Sequence, residues 1–137
     1  MTKMHTASCK CGRVSFEIEL DSYNVGICHC SDCQKISGSH FANIYHKDEI
    51  KFQGAEFITV YDSSDWAKRA FCGVCGSNLY YKFKQAEGYS LAAGLFDDQR
   101  DFTLQTQLFV DKKPAYLNIA NVTEDMTEAE IRAKYNF

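Results

Sequence analysis

Residues 9 to 20 read CKCGRVSFEIEL: two thiols one residue apart, a glycine, then a run that alternates between polar and apolar side chains. Val14, Phe16, Ile18 and Leu20 fall on one face and Arg13, Ser15, Glu17 and Glu19 on the other, the period of a half-buried strand. Further short β-rich runs follow at 41–46 (FANIYH), 57–61 (FITVY), 68–72 (KRAFC), 78–83 (NLYYKF), 89–94 (YSLAAG) and 107–110 (QLFV), divided by Gly, Asp, Ser and Asn clusters. The chain is therefore expected to be mainly β. Helical signals are confined to two places. TEAEIRAKY opens on Thr127 with Glu130 three residues on, the reciprocal pair of a capping box, which predicts a short C-terminal helix. A second short helix is predicted over SDCQKIS, with Ser31 or Asp32 as N-cap and Gly38 as the left-handed stop.

The 137 residues show no repeat, low-complexity tract or linker, so a single domain over 1–137 is expected. Hydrophobic residues make up 45% and aromatics 14%, with one proline, a composition that supports a packed core. A net charge of −3 and no basic run argue against nucleic acid as a partner. No stretch reaches the roughly 18 apolar residues of a membrane span, and MTKMHTASCKCG lacks the apolar centre of a secretory signal. A cytoplasmic location with no membrane partner is expected.

In a reducing compartment, seven cysteines in 137 residues point to metal ligation rather than to disulfides. Free thiols used as small core residues would scatter, whereas these fall into three clusters: Cys9/Cys11, Cys28/Cys30/Cys33 and Cys72/Cys75. Seven divides naturally into four plus three, because zinc closes a structural site with four ligands and keeps a position open where it works on substrate. CKCG and CGVCG each end on a glycine that permits a tight turn around thiolates, so Cys9, Cys11, Cys72 and Cys75 are expected to hold one structural zinc. Cys28, Cys30 and Cys33 remain for a second zinc with a free position.

A fourth protein ligand from Asp32, His29, His40 or His46 would close that site and make it inert, and tetrahedral sulfur suits iron as well as zinc. His29 lies between two presumed ligands, but alternate side chains point apart, so its imidazole is expected behind the ligands; it stays a weaker catalytic candidate. Trp66 and the tyrosines of NLYYKF are expected in the core and sheet surface. Arg69, Ser77 and Asn78 are expected to order the Cys72/Cys75 loop.

CKCG, CHCSDCQKISG, VYDSSDWAKRAFCGVCGSNLYY and LAAGLFDD, in this order and spacing, resemble the glutathione-dependent formaldehyde-activating enzyme family, which includes centromere protein V, from about residue 9 to residue 117. The resemblance implies a β-tent of antiparallel sheets with zinc knuckles, one zinc on Cys9, Cys11, Cys72 and Cys75, a second on Cys28, Cys30 and Cys33, and carbon–sulfur lyase activity. The namesake reaction joins formaldehyde and glutathione into S-hydroxymethylglutathione. Gln34 stands where many members carry an arginine able to meet a carboxylate, and Tyr116 where a tryptophan is common, so the thiol partner need not be glutathione.

The reading that follows is an enzyme whose three-cysteine zinc holds a substrate thiol as thiolate beside an aldehyde carbon, with His29, Tyr61 or Asp97 available for proton transfer. The rival is a non-catalytic module with two structural zincs and a protein-binding surface.

Overall fold

The computed structural model describes residues 3–20 and 22–136, and among these it has ten strands and two α-helices. β1 (Lys3–Ser8) and β2 (Ser15–Leu20) form an antiparallel hairpin. β3 (Asn24–Cys28) leads into helix α1 (Ser31–Ser37) and β4 (Phe41–His46). β5 (Ile58–Tyr61), β6 (Ala67–Cys72), β7 (Asn78–Phe83) and β8 (Tyr89–Ala92) follow, then β9 (Thr103–Leu108), β10 (Glu124–Met126) and helix α2 (Glu128–Tyr135). The second sheet has eight strands in the order β10-β9-β3-β4-β8-β7-β6-β5.

The hairpin exists because β2 alternates as its sequence predicts: Phe16, Ile18 and Leu20 are buried between exposed or half-exposed neighbours. Their apolar face lies on the large sheet, where they share one core with Ile44, Leu79 and Leu91. Burying each such side chain stabilises the fold by about 1.5–3 kcal/mol. Bridges Ala7↔Phe96 and Ser15↔Gln53 pin the hairpin at its edges. At the second of these, Gly54 has φ 74°, and a Cβ there would come within 1.7 Å of the Arg13 carbonyl oxygen, so only glycine fits.

β4 and β7 form over their predicted residues, and the C-terminal helix carries the predicted capping box. Three features differ from expectation. The large sheet is antiparallel except at β9, which runs parallel to both β3 and β10; β4 to β8 form the long crossover that parallel pairing requires. The strand expected at 107–110 is instead Thr103–Leu108, stopped where Phe109 turns left-handed at φ 57°. Helix α1 is capped not by Ser31 or Asp32 but by Cys30, whose sulfur accepts the Cys33 N–H at 3.3 Å, and it stops at Gly38 with φ 85° as predicted.

Register partners share a face in an antiparallel pair. Through them Gly26, Asn43, Ala92, Ser90, Tyr81, Arg69 and Tyr61 line one face of the large sheet, with Cys28 two residues beyond Gly26. Ile44, Leu91, Tyr80, Ala70 and Cys72 belong to the opposite, hairpin-covered face. Each face carries one cysteine cluster.

Candidate metal centres

The first cluster joins two knuckles from distant parts of the chain. After Cys9, the Gly12 N–H donates to the Cys9 carbonyl at 3.1 Å, and after Cys72 the Gly76 N–H donates to the Cys72 carbonyl at 2.8 Å. Gly12 and Gly76 have φ 82° and 79°, the left-handed turn the sequence predicts for them. Sulfur separations are 3.6 Å for Cys9–Cys11 and 3.8 Å for Cys11–Cys72. A tetrahedron with metal–sulfur bonds of about 2.3 Å puts its sulfurs about 3.8 Å apart, so this donor set fits zinc. Backbone and hydroxyl groups support it: the Val14 N–H points at Cys9 Sγ, and Ser77 Oγ lies 3.2 Å from Cys75 Sγ while accepting the Lys10 N–H. The Ser77 hydroxyl and surrounding backbone N–H groups push the Cys75 thiol down to about 5, toward the thiolate a metal needs.

The second cluster is built by the end of β3 and the start of α1. The sulfurs of Cys28, Cys30 and Cys33 lie within 4.8 Å of one another, and no His, Asp or Glu among the described residues completes the set. Asp32, His29, His40 and His46 are therefore not brought in as a fourth ligand. Hydrogen bonds from Cys28 and Cys33, aided by the Cys33 N–H and the charge of Arg69, hold the Cys30 thiol far below the ordinary thiol range. Its hydrogen bond with Cys30, then Cys33 and burial, push Cys28 far up. Sulfurs this close admit one negative charge by themselves; a divalent cation lets all three ionise.

Arg69 belongs here and not, as the sequence suggests, with the Cys72/Cys75 loop. It is 6% exposed, and its Nη2 donates to Cys33 Sγ at 3.3 Å. The reason is strand parity: positions 69 and 72 on β6 point to opposite faces. Ser77 does order the knuckle, while Asn78 Nδ2 reaches Ser37 Oγ at the end of α1. Gln34 spends its amide on the backbone, donating to the carbonyls of His29 at 2.7 Å and Lys112 at 3.0 Å.

His29 is 0% exposed, with Nε2 2.8 Å from Gln107 Oε1, and so sits behind the ligands as alternation predicts. Asp97 is tied to the hairpin, accepting the Thr6 hydroxyl at 2.7 Å. Tyr61 is the one proton-transfer candidate on the Arg69 face, directly opposite Arg69 in register and 57% exposed. Tyr81, expected from the sequence only as core or sheet surface, lies under the Arg69 guanidinium, 4.9 Å from Cζ to ring centre. Trp66 packs beneath Arg132 of α2, and Tyr116 is 77% exposed. An open groove of about 540 Å³ is lined by residues that include Gly26, Asn43, Thr106, Leu108, Glu124 and Lys134; neither the three cysteines nor Arg69 line it.

The profile of the glutathione-dependent formaldehyde-activating enzymes matches residues 4–112, most of the chain and both cysteine clusters. The chain belongs to this family. A Schizosaccharomyces pombe protein described as an uncharacterized lyase is 27% identical over 128 residues, covering 93% of each chain. A crystal structure of a Rhodobacter sphaeroides protein superposes with TM-score 0.59 at 24% identity, over 67% of this chain and 87% of that one, a likeness of fold. As a family member the chain has a lyase-like enzyme for a relative and two sulfur clusters able to hold metal. Among the described residues no helix is long and apolar enough to cross a membrane.

Proposed function

We propose that the chain is a zinc-dependent carbon–sulfur lyase acting on the adduct of a small thiol with an aldehyde, chemistry of the S-hydroxymethylglutathione type. The observation that carries this reading is the unequal division of sulfur: four donors converge at one cluster and three at the other. Zinc on Cys28, Cys30 and Cys33 would supply a Lewis acid that keeps a substrate thiol ionised at neutral pH. Zinc on Cys9, Cys11, Cys72 and Cys75 would hold the two knuckles together.

In the lyase direction the carbon–sulfur bond breaks, its electron pair leaves with sulfur, and the carbonyl reforms as the hydroxyl proton departs. No oxidant is required. Tyr61, on the same face as Arg69 and open to solvent, would be the candidate to carry that proton. The groove lining mixes polar Asn43, Ser90 and Thr106 with apolar Leu108 and Met126, and Lys134 there would offer a cation to a carboxylated thiol such as glutathione, opposed by Glu124. Gln34 is bound to backbone and is not the anion contact. A cytoplasmic setting, rich in such thiols, fits this chemistry.

The test is metal content and turnover together. Wild type is expected to carry two zincs and to form and cleave the formaldehyde–glutathione adduct or that of another small thiol; Cys30→Ser is expected to keep one zinc and lose turnover. Two tightly held zincs with no turnover of any small-thiol adduct would favour the structural, protein-binding module instead.

A further inference from the structure

We infer that Arg69 is the positioning residue of the three-sulfur centre: it is the internal counter-charge that lets Cys28, Cys30 and Cys33 hold a divalent ion and accept an anionic fourth ligand. The inference rests on the reading above that this cluster binds zinc.

Arg69 is buried on β6, which pairs with β7 on one side and the edge strand β5 on the other. A buried guanidinium is strongly disfavoured unless an anion answers it. Among the described residues no carboxylate forms an ion pair with Arg69, and its Nε has no hydrogen-bond partner. Its contacts are the Cys33 sulfur at 3.3 Å and the face of the Tyr81 ring at 4.9 Å. The anion that answers Arg69 is thus the sulfur cluster itself.

Charge counting shows what this achieves. Three thiolates around a divalent ion carry one net negative charge, which the guanidinium cancels. A neutral fourth ligand such as water leaves the assembly neutral. A thiolate brings it to one negative charge with Arg69 and to two without it, and in a partly buried site the second charge is heavily penalised. Arg69 therefore biases the open position toward a thiolate. At the four-sulfur centre Arg13 bonds to Cys11, but Arg13, Cys11 and Cys75 are all exposed, so water screens the charge there and no buried counter-charge is required.

The experiment is zinc competition with a chromophoric chelator on the full chain, comparing wild type, Arg69→Met, Arg69→Gln and Arg69→Lys. Arg69→Met is expected to bind the first zinc as wild type does and the second about 10- to 100-fold more weakly, the usual effect of losing an outer-sphere partner. Arg69→Lys is expected to recover most of that loss. In the cobalt-substituted proteins, added mercaptoethanol should alter the sulfur-to-cobalt charge-transfer band at lower concentration in wild type than in Arg69→Met. Unchanged second-site affinity and thiol response in Arg69→Met would overturn the inference while leaving the two-zinc reading intact. Wild type binding a single zinc would instead overturn the reading on which it rests. If Arg69→Met loses both zincs by misfolding, the Lys and Gln variants decide: Lys must hold the second zinc at least about tenfold more tightly than Gln, and equal affinities refute the proposal.

Discussion

Replacing Cys72 by serine removes one donor from the four-sulfur centre at the point where it is most deeply buried. The size of the effect follows from chain length. Cys11 and Cys72 approach to 3.8 Å across 61 residues of sequence, so a metal shared between them restricts the unfolded chain as a cross-link over that span would. The chain-entropy relation gives about 4 kcal/mol for a loop of this length. Total stabilities run about 5–15 kcal/mol, so the loss would consume much of the margin. At about 3–5 °C per kcal/mol for a chain of this size, melting should fall by about 15 °C. The serine hydroxyl, placed in a pocket built for a thiolate, adds to the loss. Calorimetry of the zinc-loaded proteins, with elemental analysis of the same samples, measures both quantities. A variant that melts within about 3 °C of wild type would refute the argument that this centre staples the hairpin to the sheet.

Three further outcomes are expected. Cys30→Ser should cost less than half as much as Cys72→Ser by calorimetry, because its cluster spans one short segment and because serine, a favoured N-cap, can take over the bond from the Cys33 N–H; a larger drop would mean that both centres are needed for folding. Thr127→Ala removes the hydroxyl that accepts the Glu130 N–H at 3.3 Å and should cost about 1 kcal/mol in urea unfolding at pH 7. The Thr127 backbone N–H and then the Thr127 hydroxyl, which donates to Glu130 Oε1 at 2.9 Å and is the part alanine removes, hold the Glu130 carboxyl below its ordinary 4.5; the carboxylate's contribution is complete above 4.5 and is lost as pH falls through the lower folded value. The Thr127→Ala penalty should accordingly be smaller at pH 3 than at pH 7, and an equal penalty would contradict the reciprocal cap. Leu91→Ala, at a fully buried position of β8, should lower stability by about 2–5 kcal/mol with an unchanged urea slope; a loss below about 1 kcal/mol would place Leu91 outside the main core.

What the sequence discloses about this fold depends on how local the cause is. β2 and β4 are legible because alternation or β-branched and aromatic content marks them directly. β3 is not, since Asn24 and Gly26 are poor strand formers and the segment is held by partners on both sides, β4 and β9. β9 is displaced toward the N-terminus because Phe109, a residue with no preference for a left-handed turn, adopts one. Cys30 escapes notice as a helix cap because thiols are outside the usual capping set, and its role there serves the cluster as well as the helix. The division of sulfur into four and three is visible in spacing alone. The guanidinium beside the three is also written in the chain, because KRAFC puts Arg69 and Cys72 an odd number of positions apart; proximity in sequence to Cys72 obscures what parity states. Asp97 illustrates the opposite case, a residue whose place against Thr6 depends on a contact 91 positions away that no local pattern announces.

Strand β6 ties the two centres to a single alignment. Sliding it by one residue against β5 and β7 would turn Cys72 out of one cluster and Arg69 away from the other in the same event. On the proposed metal reading, uptake would act as a proofreading step: a sheet assembled out of alignment completes neither site, whereas a correct one would be locked from both sides. If both clusters hold zinc as proposed, withdrawing the metal would remove the check on alignment together with the proposed chemistry.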